Sequence, residues 1–351
     1  MYYMKNLLLK TIELKASDLH LIVGSPPIVR INGNLEKIGE ENLISKDVEK
    51  FAKEVLSYNF EKYIKAGEYD SSFVLDGIGR FRVNVFKEKN NDAIAIRVIN
   101  FTIPTLEELK YPKIIKELTR KRRGLVLVTG PTGCGKSTTL ASMINEINNT
   151  RNTHIITLED PIEYLHKHKK SIINQREIGK DSKSYKNALK AILREDPDVI
   201  LIGEMRDFET ISIAITAAET GHLVFSTLHT IGAAKTIDRI IDSFPSNQQQ
   251  QIRTQLATVL QGIISQQLLP ELDGRGRIAA SEIMTITPGI QKLIREGKTY
   301  QIQSIIQTGS RYGMKTMDMS IAELYKSNII SNEIALEFAV EKETLERIVM
   351  L

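Results

Sequence analysis

The sequence predicts an α/β protein in two parts: a small α+β domain over residues 1–100, then a larger domain built around a parallel sheet. Two observations carry this. From about residue 113, short β-rich runs at 125–128, 155–158, 199–202 and 223–225 are separated by helical patterns such as Tyr185, Ala188, Leu189, Ile192 and Leu193. Strands alternating with helices imply a parallel sheet covered on both faces. Before residue 100 strands at 80–86 and 93–99 alternate with period two beside a short helical pattern, and 351 residues are comfortable for two domains.

In the first domain a short helix precedes strands at 19–23 and 28–31, broken by Pro26 and Pro27. Val48, Phe51, Ala52 and Val55 recur at helical spacing. A strand at 73–75, a turn at Gly77 and Gly79, and two alternating strands at 80–86 and 93–99 follow. Symmetric pairing of those two strands sets Phe86 opposite Ala93 and Arg82 opposite Arg97 on one face. Directly opposed like charges destabilise a ladder, so an anion is expected between them, and the guanidinium fork suits phosphate. Residues 101–112 hold two prolines and no sustained period, and are read as a linker. The larger domain runs from 113 to 288, with a polar helix start at Gln248–Gln251 and a hairpin strand at 277–286. Helices fill 289–351.

Composition excludes several classes. Net charge is +4, from 47 basic and 43 acidic residues, too balanced to point to nucleic acid. The basic run at 120–123 reads as a solvated helix end. Cys134 is the only cysteine, so neither a disulfide framework nor a cysteine zinc site is expected, and His166 and His168 read as loop residues. No apolar run approaches the roughly 20 residues that cross a bilayer, and Leu7–Leu9 give way to Lys10, Glu13 and Lys15 without a cleavage pattern. An intracellular, non-spanning protein is expected.

The strongest chemical signal is GPTGCGKS, residues 130–137, which follows a strand and opens a helix. It matches the phosphate loop of nucleoside triphosphatases. Its glycines let backbone N–H groups turn onto phosphate oxygens, and the helix N-terminus adds partial positive charge. Thr132, Gly133, Cys134, Gly135, Lys136, Ser137 and Thr138 are therefore expected to bind ATP. Lys136 would reach the β- and γ-phosphates and the Ser137 hydroxyl would ligate Mg²⁺. Cys134 reads as a small filler whose backbone does the binding.

TLEDPIEY, residues 157–164, ends the next strand, where ligands of such sheets bind. Glu159, Asp160 and Glu163 are expected near nucleotide and metal, with the phosphate loop one strand away. VILIGEMRD, residues 199–207, places Gly203 where many such enzymes carry a metal-binding aspartate, and Glu204 next. Held beside the phosphate loop, the longer Glu204 side chain would orient the attacking water, with Gly203 leaving room. GHLVFSTLHT, residues 221–230, ends its strand at His229, a candidate sensor of the γ-phosphate, while His222 precedes the strand and could face a neighbour. Arg82 and Arg97 are expected to close over that same phosphate.

Together these motifs resemble the secretion ATPase superfamily of type II secretion systems and type IV pili, and in order and spacing its pilus-retraction members. The resemblance covers nearly the whole chain. It implies a RecA-like ATPase domain preceded by a PAS-like domain, assembled as a homohexamer with ATP between the two domains. It also implies that each N-terminal domain packs on the next subunit, with Glu204 as catalytic glutamate, Glu163 in the acidic box, and Arg82 and Arg97 approaching the nucleotide. Hydrolysis would drive an inner-membrane platform protein, returning pilin to the membrane, from a cytoplasmic position at the pilus base. The short N-terminal region and the lack of four zinc-binding cysteines favour retraction over assembly or type II secretion motors. Retraction members carry AIRNLIRE; here GIQKLIRE, residues 289–296, keeps the second half and departs at Gly289, Gln291 and Lys292. A nucleic-acid translocase would need a basic or aromatic channel that the sequence does not offer. A nucleotide-gated scaffold without turnover is opposed by Glu204 and the acidic box.

Overall fold

The computed structural model describes residues 2–350 apart from 32, 76–78, 100, 101 and 275. The expected turn at Gly77 and the linker's first residue, Phe101, therefore lie outside the described residues. The chain separates into two compact units, Met1–Thr102 and Ile103–Leu351.

The first unit is an antiparallel sheet with helices on one face. Its strands are β1 (Asp18–Ile22), β2 (Ile28–Ile31), β3 (Asn34–Lys37), β4 (Glu68–Leu75), β5 (Gly79–Glu88) and β6 (Asn91–Ile99), in the order β3-β2-β1-β6-β5-β4. The helices are α1 (Met4–Glu13), α2 (Ser45–Leu56) and α3 (Phe60–Ala66). Leu19, Leu21, Val83, Val85, Ile94 and Ile96 point into one core with Leu8, Val48 and Phe51. The residues between them face the other way, as period-two alternation requires. Lys89 and Asn90 take positive φ at the β5–β6 turn, which fixes the register: Phe86 faces Ala93 and Arg82 faces Arg97. The anion beside Arg97 comes from the sheet itself, because Asp18 on β1 accepts from Arg97 Nε at 2.9 Å.

The second unit is a seven-stranded RecA-like sheet in the order β13-β12-β7-β11-β10-β8-β9. Its members are β7 (Gly124–Thr129), β8 (His154–Glu159), β9 (Ile172–Glu177), β10 (Val199–Ile202), β11 (Leu223–Leu228), β12 (Leu260–Pro270) and β13 (Arg277–Thr285). All neighbours are parallel except β12 and β13. Strands β7, β10 and β11 are buried throughout, which is why they read as unbroken apolar runs. Leu125 and Leu127 pack on one face with α6 (Tyr185–Ile192), α7 (Phe208–Glu219), α8 (Ala233–Asp242) and α9 (Gln249–Val259). Val126 and Val128 pack on the other with α4 (Lys113–Thr119) and α5 (Lys136–Thr150). Helices α10 (Pro288–Glu296) and α11 (Ile302–Thr308) extend the first layer. Then α12 (Met317–Lys326), α13 (Asn332–Phe338) and α14 (Lys342–Met350) bury a separate cluster against the far ends of β12 and β13.

The sheet order corrects one expectation. The phosphate loop is not one strand from the acidic box: β11 and β10 both intervene between β7 and β8, and β11 separates β7 from β10. No helix among the described residues is long and apolar enough to cross a membrane.

Candidate active site

The carboxyl ends of β7, β8, β10 and β11 open onto one cavity of about 420 Å³. It brings together Thr132, Gly133, Gly135, Lys136, Ser137 and Thr138 from the phosphate loop with Glu159, Asp160, Glu163, Glu204 and His229. Intervening strands do not prevent this, because β7, β11, β10 and β8 are parallel and present their carboxyl ends on one side of the sheet.

The loop is held from below. Gly130, Gly133 and Gly135 all take positive φ, and a side chain on Gly130 would run into the Gln266 carbonyl and lie 2.7 Å from Cys134 Sγ. Gln266, buried in β12, donates through Nε2 to Cys134 O at 2.5 Å. Its Oε1 accepts from Thr139 at 2.9 Å and from Tyr111 at 3.1 Å, and those two hydroxyls lie 2.8 Å apart. Burial pushes the Tyr111 hydroxyl up to about 12, so it stays a donor. Cys134 is itself buried, and burial raises its thiol, so it is a packed filler and a poor nucleophile. Thr138 shares a 2.8 Å hydrogen bond with the Tyr164 hydroxyl, which ties α5 to the acidic box.

Lys136 Nζ donates to the Gly130 and Pro131 carbonyls at 2.8 and 2.9 Å. Burial lowers its ammonium pKa. The three carboxylates of the acidic box differ in exposure. Glu159 is turned inward, accepting from Thr157 at 2.6 Å and Gln175 at 3.1 Å, and burial raises its carboxyl. Asp160 and Glu163 are exposed at the cavity wall.

Glu204 is largely enclosed, with 15% of its side chain exposed, and is held by one guanidinium and one imidazole. Arg206 forms an ion pair with Oε1, and His229 Nε2 lies 3.2 Å from Oε2. His229 is held below its ordinary value of 6.5, first by burial, then by the charges of Lys136 and Arg206. The ring is therefore neutral near pH 7. Gly203 has a different purpose from the one expected. A side chain there would meet the Tyr185 hydroxyl at 2.9 Å and Leu158 O at 3.2 Å, so the space belongs to packing between strand ends.

His222 sits at the opposite end of β11, with Nδ1 2.9 Å from Ala217 O, and closes the end of α7. His168 Nδ1 accepts from Ile173 N at 3.1 Å, and His166 lines the cavity with its ring kept neutral by burial. Arg82 and Arg97 lie on the open face of the first unit's sheet, Arg82 exposed and Arg97 paired with Asp18. Gln266 and Tyr111 lie outside every motif of the sequence, while Tyr164 closes TLEDPIEY and Tyr185 belongs to a helical pattern, neither with a role that local spacing could assign. Arg206, within VILIGEMRD, likewise pairs with Glu204 in a way that its position in the sequence does not signal.

No three His, Cys, Asp or Glu side chains gather into a metal site among the described residues.

A parallel sheet with a phosphate loop, a strand-end glutamate and a strand-end histidine defines a nucleoside-triphosphatase core. The chain belongs to the Type II/IV secretion system protein family, which matches residues 73–333. Within it, the chain is 49% identical to the twitching motility protein of Neisseria gonorrhoeae, over 91% of this chain and 86% of that one. It is 48% identical to the type IV pilus retraction ATPase PilT of Pseudomonas aeruginosa, over 92% of this chain and 94% of that one. A crystal structure of the pilus retraction motor PilT with bound ADP superposes with a TM-score of 0.93 at 48% identity, covering 99% of this chain and all of the other.

Proposed function

We propose that this chain is the subunit of an ATP-hydrolysing motor that powers type IV pilus retraction. The observation that carries the proposal is the joining of Lys136, Glu204 and His229 in one cavity on a chain nearly half identical, over nine-tenths of its length, to retraction proteins. The phosphate loop binds the triphosphate tail. Lys136 exchanges the Gly130 and Pro131 carbonyls for phosphate oxygens, a stronger set of acceptors. Magnesium, when bound at the Ser137 hydroxyl, neutralises charge on the phosphates.

Glu204 orients the attacking water and takes its proton. Arg206 and neutral His229 fix the carboxylate's direction, so the base is aimed before substrate arrives, and such preorganisation lowers the cost of reaching the transition state. Arg82 and Arg97 supply the positive charge that closes the site from the PAS-like domain of residues 1–100. Leu106 and Tyr111 of the expected linker 101–112 pack into the larger unit, so the ATPase domain of 113–288 and the helices of 289–351 change angle with each hydrolysis about the stretch ahead of Ile103. A homohexamer acting on an inner-membrane platform protein from the cytoplasmic side turns that change into pilin removal.

The test is Glu204→Gln. It should bind ATP within about threefold of wild type and lose turnover by about a hundredfold or more. Cells carrying it as their only copy should be over-piliated and unable to retract. Turnover equal to wild type would remove Glu204 from the mechanism.

A further inference from the structure

Glu282 on β13 is 4% exposed and lies outside the nucleotide cavity. Both of its oxygens are engaged. Oε1 accepts the backbone N–H of Ala233 at 2.8 Å, and Oε2 accepts the side-chain amide of Gln303 on α11 at 3.2 Å. Ala233 is the first residue of α8 and comes four positions after His229. The neighbouring Gly232 N–H is taken by Ser265 Oγ on β12 at 2.8 Å.

The turn between His229 and α8 is otherwise closed on itself: Thr236 donates to Gly232 O at 2.8 Å and shares a 2.7 Å bond with Thr230. Its outward fastening thus runs through Glu282 and Ser265. A further tie from the C-terminal helices, Thr299 to Asp238 at 2.8 Å, reaches the same helix. A buried carboxylate is costly unless its hydrogen bonds are filled, and these two are filled from opposite sides. Burial and the nearby Asp318 carboxyl also push the Glu282 pKa upward.

We propose that Glu282 is a positioning residue that fastens the start of α8, and with it the turn bearing His229, to the C-terminal helical layer through Gln303. The proposal rests on the reading of His229 as a group of the nucleotide site. It means that a shift of α11 against β13 reaches His229 without touching nucleotide. Hydrogen bonds, rather than charge, carry the effect, since a glutamine could accept from Ala233 and meet a flipped Gln303 amide.

The experiment measures ATPase kinetics of the full chain and hydrogen exchange at the Gly232 and Ala233 amides. Glu282→Leu should lower kcat about tenfold with KM within about twofold, and speed exchange at Ala233 about tenfold. Glu282→Gln should recover most of both. Combined with His229→Ala, the Leu variant should lose no more than His229→Ala alone, since groups acting as a unit are not additive. Should Glu282→Leu not fold, Gln303→Leu cuts only the far side and should show a smaller kcat loss that is likewise absent in the His229→Ala background. Unchanged Ala233 exchange, a Glu282→Gln variant as poor as Leu, or losses that multiply with His229→Ala would each overturn the proposal. Wild-type kinetics of His229→Ala alone, with Ala233 exchange still raised by Glu282→Leu, would instead remove the catalytic reading of His229 and leave the fastening standing.

Discussion

Gln266 makes the phosphate loop a rigid object. One amide group joins Cys134 O, Thr139 and Tyr111, so removing it leaves buried polar groups unfilled. Gln266→Leu should weaken ATP binding about tenfold, because each unfilled buried group costs roughly 1–3 kcal/mol and part of that falls on the bound conformation. Isothermal titration with a non-hydrolysable analogue checks this. His229 sets a second expectation. Its folded pKa lies below 6.5, so its neutral form predominates above that pH and is lost as pH falls further beneath it. The unfolded chain takes up the proton first, so folding stability also declines in that direction. The kcat profile of wild type should show an acid limb below pH 6.5 that His229→Gln lacks. A limb centred above 6.5 would contradict the neutral ring.

Strand ends and ladder rows set the next level. The ends of β8 and β10 approach so closely at Gly203 that no side chain fits beside Tyr185 and Leu158. Gly203→Ala should therefore destabilise the protein by about 1–3 kcal/mol through overpacking. Tyr185→Phe in the same chain should return part of the loss, as thermal melts would record. On the sheet of the first unit, Arg82 faces Arg97 while Asp18 holds Arg97 from the next strand. Arg82→Ala should cut ATPase activity while shifting stability by no more than about 0.5 kcal/mol, since the residue is exposed. Equal activity with and without Arg82 would assign this row to the surface alone.

For the molecule as a whole, the expected consequence of a ring is interdependence between subunits. If hydrolysis passes sequentially around a homohexamer, Glu204→Gln subunits mixed into wild-type rings should depress activity by more than their share. A strictly proportional decline would mean that subunits fire independently. Much of this was legible beforehand because the residues that hold phosphate do so through local geometry. GPTGCGKS, the strand ends at Glu204 and His229, and the Arg82–Arg97 pairing all follow from short-range periodicity and turn chemistry. What escaped was set by distant partners. β12 follows α9 without a breaker, and Gln261, Ser265, Gln266 and Gln267 interrupt its apolar pattern, so neither the strand nor the brace it carries had a signal. The edge strand β9, with Ile172 exposed, was hidden for the same reason.

By itself the sequence determined a glycine-bent loop of the kind that cradles a triphosphate and a carboxylate at the end of a buried strand, because both features are encoded within a few consecutive residues. Only the tertiary structure decided the strand order, the grip of Arg206 and His229 on Glu204, the Gln266 brace and the Glu282 fastening. Each of these joins side chains far apart along the chain or settles their direction by packing, and neither spacing nor composition records which distant groups come to share a buried hydrogen bond.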